Sequence, residues 1–249
     1  MSVKIEQRGA VLLITLNRPE AANALDGPTM SGIGRALTEA EHDDGVRVIV
    51  LTGAGDRVFC AGMDLKAFSA DGVPLTDGPG LEVLQRRLYP KPTIAALNGT
   101  AAAGGLELAL ACDLIVAAEH ARLGLPEVKR GLLAAGGGTR LPRRMPLALA
   151  LELGMTGKLV DAPRALALGL VNRVVPGPAV LEEALALADE IAANGPLAVA
   201  ATKKLMYDEV GTPDWDALTE TARAVFDSAD AKEGARAFLE KRPPVWKGR

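Results

Sequence analysis

The chain has 249 residues, 49% of them hydrophobic, 24% charged and only 3% aromatic, enough for one large core or a core with an appendage. A formal net charge of -3 excludes a polybasic surface for nucleic acid or anionic membrane. Cys60 and Cys112, like His42 and His120, are dispersed, which excludes a disulfide framework or a zinc-ligand spacing, and no metal is expected.

Residues 4–7 and Val11–Leu16 flank Gly9 and predict a hairpin. Asp26-Gly27-Pro28 is a helix start, and Met30, Ile33, Leu37 and Ala40 follow at helical spacing. The β-branched run at 46–51 predicts a buried strand that ends at Thr52-Gly53. Residues 69–80, rich in Gly, Pro and Asp, predict a mobile loop. Thr93–Leu97 predicts a strand, Gly104–Ala111 a helix and Leu114–Ala118 a further strand, so the fold class is α/β with largely parallel pairing. Past Val175-Pro176 the pattern turns helical, with helices at 180–193, at 197–209 behind Pro196, at Trp215–Phe226 and at 231–241. The expected division is a core over 1–194 and a helical region over 195–249 that lies on the core or on a neighbouring subunit. The first residues lack a signal peptide's apolar stretch, and the apolar run 93–112 is broken by Asn98, three glycines and Glu107. A cytoplasmic protein that neither spans nor binds a membrane is expected.

Candidate chemistry gathers around two glutamates. Glu107 follows Ala103-Gly104-Gly105 and is the only charge between Lys91 and Asp113; Glu127 follows Gly124-Leu125-Pro126. A carboxylate in an apolar segment is costly unless paired, hydrogen-bonded or protonated, which favours a functional role over a solvated helix position. The first N–H groups of the helix opened by Gly104 lack intrahelical partners and can hold an oxyanion; the glycines equally permit tight helix–strand packing. The turn at Gly62-Met63 can expose a second donor, or can simply join a strand to a helix capped by Asp64. No G-x-S-x-G elbow is present, Thr52-Gly53-Ala54-Gly55 has Val58 where a dinucleotide fingerprint needs its third glycine, and Gly154 to Lys158 has the wrong spacing for a phosphate loop.

Together, Leu16-Asn17-Arg18-Pro19-Glu20-Ala21-Ala22-Asn23-Ala24-Leu25, the segment from Phe59 to Lys66, and residues 92–113, 123–141, 168–175 and 233–242 resemble the enoyl-CoA hydratase/isomerase (crotonase) family nearly end to end. The resemblance implies a spiral of repeated β-β-α units with a C-terminal helical region that builds a homotrimer or a hexamer. It implies oxyanion-hole N–H groups at Met63 and Gly104, catalytic Glu107 and Glu127, and CoA contacts along Ala22, Ala24, Ala61, Asp64, Leu65 and Lys66, the last facing a phosphate. Arg18 reads as a structural residue. Both glutamates being present favours a lyase, an enoyl-CoA hydratase of fatty acid metabolism and β-oxidation, that adds water to a trans-2-enoyl-CoA. Coenzyme A would arrive as part of the acyl-CoA substrate, with no separate cofactor. An isomerase or other acyl-CoA lyase, or a non-catalytic acyl-CoA binding protein, stays open. One departure is the run Leu132-Leu133-Ala134-Ala135, where the family has a Pro-Gly step; it is expected to narrow the pocket beside the acyl chain.

Overall fold

The computed structural model describes residues 1–64, 75–86, 88–211 and 215–245. Strands β1 (Val3–Arg8) and β2 (Val11–Leu16) form the expected antiparallel hairpin, with Gly9 at φ 59 in the turn. After a 3-10 turn at Pro19–Ala21 comes α1 (Gly27–Glu41). Asp26 caps α1 by accepting the Thr29 N–H at 2.8 Å, and the helix buries Ile33 and Leu37 against the sheet core.

The centre of the molecule is a strand–strand–helix unit repeated three times. Strand β3 (Val48–Gly53) leads into β4 (Val58–Cys60) and, further on, the short α2 (Glu82–Gln85). β5 (Thr93–Leu97) leads into β6 (Thr100–Ala102) and α3 (Gly104–Ala111). β7 (Leu114–Ala118) leads into β8 (Arg122–Gly124) and a 3-10 turn at Pro126–Arg130. The first strand of each unit enters a six-stranded sheet and the second a four-stranded sheet. With β9 (Val160–Asp161) and β10 (Arg173–Val175), the orders are β1-β2-β3-β5-β7-β10 and β4-β6-β8-β9. From β2 across to β10 every pairing in the larger sheet is parallel. Continuous apolar runs such as Val48-Ile49-Val50-Leu51 fit this arrangement, because a parallel sheet is buried on both faces.

The expected spiral is therefore present, with two local differences. Strand β3 starts at Val48, two residues later than the β-branched run suggests, because the Val46 N–H closes a turn onto the Asp43 carbonyl. Strands β4, β6 and β8 have three residues each, too few for alternation to register, so the second strand of each unit reads as a turn in the sequence. Of the predicted loop at 69–80, only 75–80 falls within the described residues; that part holds neither helix nor strand.

Gly105 lets α3 lie directly on β4, since a Cβ there would collide with the Cys60 carbonyl. Gly105→Ala is expected to destabilise the fold by roughly 1–3 kcal/mol through overpacking. A urea midpoint equal to wild type would show that α3 does not need this close approach.

The chain continues through a 3-10 stretch at Gly138–Arg143, α4 (Leu147–Thr156), α5 (Ala162–Ala167) and α6 (Val180–Ala192). Helices α7 (Pro196–Val210), α8 (Trp215–Phe226) and α9 (Ala229–Leu239) follow, with Pro196 in the first turn of α7 as expected. Ser228 caps α9, which starts two residues earlier than the apolar pattern suggests. α9 folds back over the 3-10 turn that carries Glu127: a Cβ on Gly234 would overlap the Arg130 carbonyl. Glu233 fastens the end of this helix by accepting hydrogen bonds from Arg236 (2.6 Å), Arg242 (2.6 Å) and the Val245 N–H (3.0 Å).

Candidate active site

Two strained or irregular turns aim backbone donors at one place. Before Gly104, Ala103 holds φ 52 and ψ -132, a conformation that costs a non-glycine residue about 1–3 kcal/mol. It is held there by its N–H, which donates to Gly124 at 3.0 Å, and by its carbonyl, which accepts the Glu107 N–H at 3.0 Å. The Gly104 N–H then stands at the first position of α3 with no partner among the described residues.

Met63 lies opposite Leu25 in an isolated parallel bridge. Leu25 donates to the Gly62 carbonyl at 2.8 Å and accepts from the Asp64 N–H at 3.0 Å. In such a ladder the intervening Met63 N–H points away from Leu25, and it has no partner among the described residues. The two amides are neighbours: a Cβ built on Gly104 would lie 3.5 Å from the Met63 nitrogen. Gly62, at φ 94, must be glycine for a second reason, since a Cβ there would sit 2.9 Å from the Gly104 nitrogen.

Arg18 braces this turn. Its guanidinium donates to the Ala24 carbonyl (2.8 Å) and to Asp64 (3.2 Å) and pairs with Asp26 (3.1 Å), while Asn23 donates to the Ala54 and Val58 carbonyls at 3.0 and 2.9 Å. The structural reading of Arg18 agrees with these contacts.

The two carboxyls face the same space. Glu107 is 6% exposed and Glu127 9%, and both line a cavity of about 650 Å³ together with Ala24, Ala61, Met63, Asp64 and Gly104. The structure thus brings seven of the sequence-predicted residues together. Ala22 does not line the cavity; it stands behind it, its carbonyl accepting the Ala61 N–H at 3.1 Å. Leu65 and Lys66 lie outside the described residues. Ala135 and Gly136 also line the cavity, and a methyl group at Gly136 would lie 2.9 Å from a Glu107 oxygen.

Burial pushes the Glu107 carboxyl up to about 8, with the Glu127 charge adding to the effect and the N–H groups of Gly138, Gly136 and Gly137 opposing it. The Gly138 N–H donates to Glu107 Oε1 at 2.9 Å. Burial likewise pushes Glu127 up to about 7, opposed by its own N–H and by the Arg130 charge. Both Glu127 oxygens are shielded, and among the described residues no other residue donates a hydrogen bond to them. A buried carboxyl with no partner, beside a second that holds its proton near neutrality, is suited to exchanging a proton with a bound molecule.

Raised carboxyl values have a stability cost of known sign. The contribution is fully present below the ordinary glutamate value of 4.5 and is lost as pH rises through about 8 for Glu107. Glu107→Gln keeps an acceptor for the Gly138 N–H and removes the charge. Its thermal midpoint is expected to match wild type at pH 5 and to exceed it at pH 9, by a stabilisation on the order of 3–5 kcal/mol. Identical midpoints at both pH values would show that Glu107 titrates as an ordinary carboxyl.

Some cavity residues carry no sequence signal. Phe226 and Phe238 reach it from the C-terminal helices, and Arg130 stacks over Phe238 with its guanidinium carbon 4.3 Å from the ring centroid. No spacing rule links residues so far apart in the chain. In the sequence, only its place in the basic pair Lys129-Arg130 beside Glu127 sets Arg130 apart.

A profile of the enoyl-CoA hydratase/isomerase family matches residues 6–249. The chain is 42% identical to the carnitinyl-CoA dehydratase of Proteus mirabilis, over 100% of this chain and 99% of that protein. Among solved structures it is similar to a carnitinyl-CoA hydratase from Mycobacterium avium, with 47% identity and a TM-score of 0.93. An enoyl-CoA hydratase from Mycobacterium tuberculosis shares 48% identity with a TM-score of 0.80. Each comparison covers 100% of this chain and 99% of the other.

Proposed function

This chain belongs to the enoyl-CoA hydratase/isomerase family and is a hydratase/dehydratase acting on CoA thioesters; from that premise we propose that it adds water reversibly across the C2=C3 bond of a trans-2-enoyl-CoA, giving a 3-hydroxyacyl-CoA. The observation that carries this reading is the meeting of two proton-holding carboxyls and two unpartnered amides at one cavity.

The Met63 and Gly104 N–H groups receive the thioester carbonyl oxygen and stabilise the enolate that forms when water adds. Each such donor is worth about 3–4 kcal/mol of barrier. Glu107 orients the attacking water and takes its proton as the C3–O bond forms. Glu127 gives a proton to C2 as the enolate collapses. The two carboxyls titrate as a coupled pair, and the reverse reaction exchanges their roles. The backbone of Ala24, Ala61 and Asp64 runs along the CoA side of the site, with Leu65 and Lys66 next in the chain. Coenzyme A is part of the substrate in this reading. Self-association is part of it too, with the exposed Leu197, Leu205 and Met206 of α7 as contact surface.

The names of the relatives make carnitinyl-CoA a candidate substrate for dehydration. A panel of 2-enoyl-CoA and 3-hydroxyacyl-CoA thioesters tests the proposal, followed by conjugated-thioester absorbance and product mass. Loss of absorbance with a product heavier by one water supports it; a product of unchanged mass indicates isomerisation and overturns it.

A further inference from the structure

Among the described residues, Arg130 is the only cationic side chain lining the cavity. The others with charge are acids: Glu20 at the rim, Asp64 engaged by Arg18, and the two buried glutamates. Arg130 follows Glu127 by three residues in the same 3-10 turn, so its charge stands one turn from the reacting carboxyl. Its guanidinium carbon lies 4.3 Å over the Phe238 ring centroid, and its backbone carbonyl is pinned under Gly234 of α9. The orientation is therefore fixed from two sides.

The side chain nevertheless makes no hydrogen bond within the described residues. Its Nε is shielded from solvent and has no acceptor. It makes no ion pair with Glu127, whose oxygens are also without partners. A fixed, half-buried guanidinium lacking an acceptor is an incomplete arrangement, since its planar fork matches a carboxylate. The extended pantetheine arm of CoA holds its phosphates far from the thioester, whereas a group one turn from Glu127 is near the reacting carbons. An acceptor for Arg130 would therefore come from the acyl group beyond C3.

We propose that Arg130 is a specificity-determining residue that selects acyl-CoA substrates carrying a carboxylate on the acyl chain next to C4, and discriminates against acyl groups that carry a cation there. This rests on the hydratase reading of the site and narrows its substrate class. It also separates this chain from the substrate named for its relatives, because a trimethylammonium at C4 would face the guanidinium.

Three thioesters place a negative, neutral or positive group at the same position: glutaconyl-CoA, 5-methyl-2-hexenoyl-CoA and crotonobetainyl-CoA. Wild type is expected to hydrate glutaconyl-CoA with a kcat/KM at least ~10-fold above the neutral isostere, and crotonobetainyl-CoA least well. Arg130→Gln is expected to reduce the glutaconyl-to-neutral ratio by at least ~10-fold, and Arg130→Lys to restore part of it. Taking ratios within each variant cancels any effect on Glu127. An unchanged ratio in Arg130→Gln, or a wild-type preference for crotonobetainyl-CoA, overturns the proposal. Calorimetric binding of the saturated analogues glutaryl-CoA and 5-methylhexanoyl-CoA reads the same preference without turnover. If no thioester gains water yet the binding ratio still depends on Arg130, the hydratase reading fails and the specificity stands. If water is added and neither ratio moves, the reverse holds.

Discussion

Glu107→Gln and Glu127→Gln are each expected to lower crotonyl-CoA hydration by at least ~100-fold, the lower end for general acid–base catalysis. Glutamine fills the same volume at either position, and at 107 it accepts the same Gly138 N–H, so the loss reads proton transfer and not packing. The double variant should be scarcely worse than either single one, because groups that act as a unit are not additive. The wild-type profile follows from the same pair. With Glu107 pushed up to about 8 and Glu127 to about 7, the pair carries a single proton chiefly between these values; most of it rests on Glu107, and the reacting form is the minor tautomer with the proton on Glu127. Below this window the base is protonated and above it the acid is lost. The kcat/KM profile is therefore expected to be a bell centred between pH 7 and 8. Turnover near wild type in either single variant, or a rate flat from pH 5 to 9, would remove the pair from the chemistry.

Gly62→Ala should be comparably severe and act through the backbone. Its methyl group would lie 2.9 Å from the Gly104 nitrogen and 2.8 Å from the Ala103 Cβ, at a φ of 94 that alanine tolerates poorly. The turn must shift, and with it the angle between the two amides. Loss of one oxyanion donor costs roughly 100- to 1,000-fold in kcat. The expected result is a fall of that order in a protein that still unfolds cooperatively, with acyl-CoA binding less affected than turnover. Retained turnover would mean that these amides do not hold the carbonyl oxygen.

Much of this site is legible in the sequence because its parts are local. Gly104-Gly105 before an apolar helix, and a single charge between Lys91 and Asp113, mark Glu107 without any knowledge of the fold. Glycine at Gly62 signals its turn for the same reason, since the conformation excludes a side chain. Illegible are the features that depend on contacts between distant segments. Ala103 looks like any alanine, and its strained φ emerges only because Gly124 and Glu107 hold it from both sides. Strands β4, β6 and β8 exist because they pair with one another, so the second sheet leaves no periodic trace. Arg130 gains its meaning from Phe238 and Gly234 of α9, more than a hundred positions on.

The most direct measurement is the isotopic fate of crotonyl-CoA during initial turnover in deuterium oxide, with a parallel run in water labelled with heavy oxygen. The account predicts one deuterium at C2, none at C4, and the label in a new hydroxyl on C3. Deuterium at C4 without oxygen incorporation, or no exchange at either carbon, would contradict it.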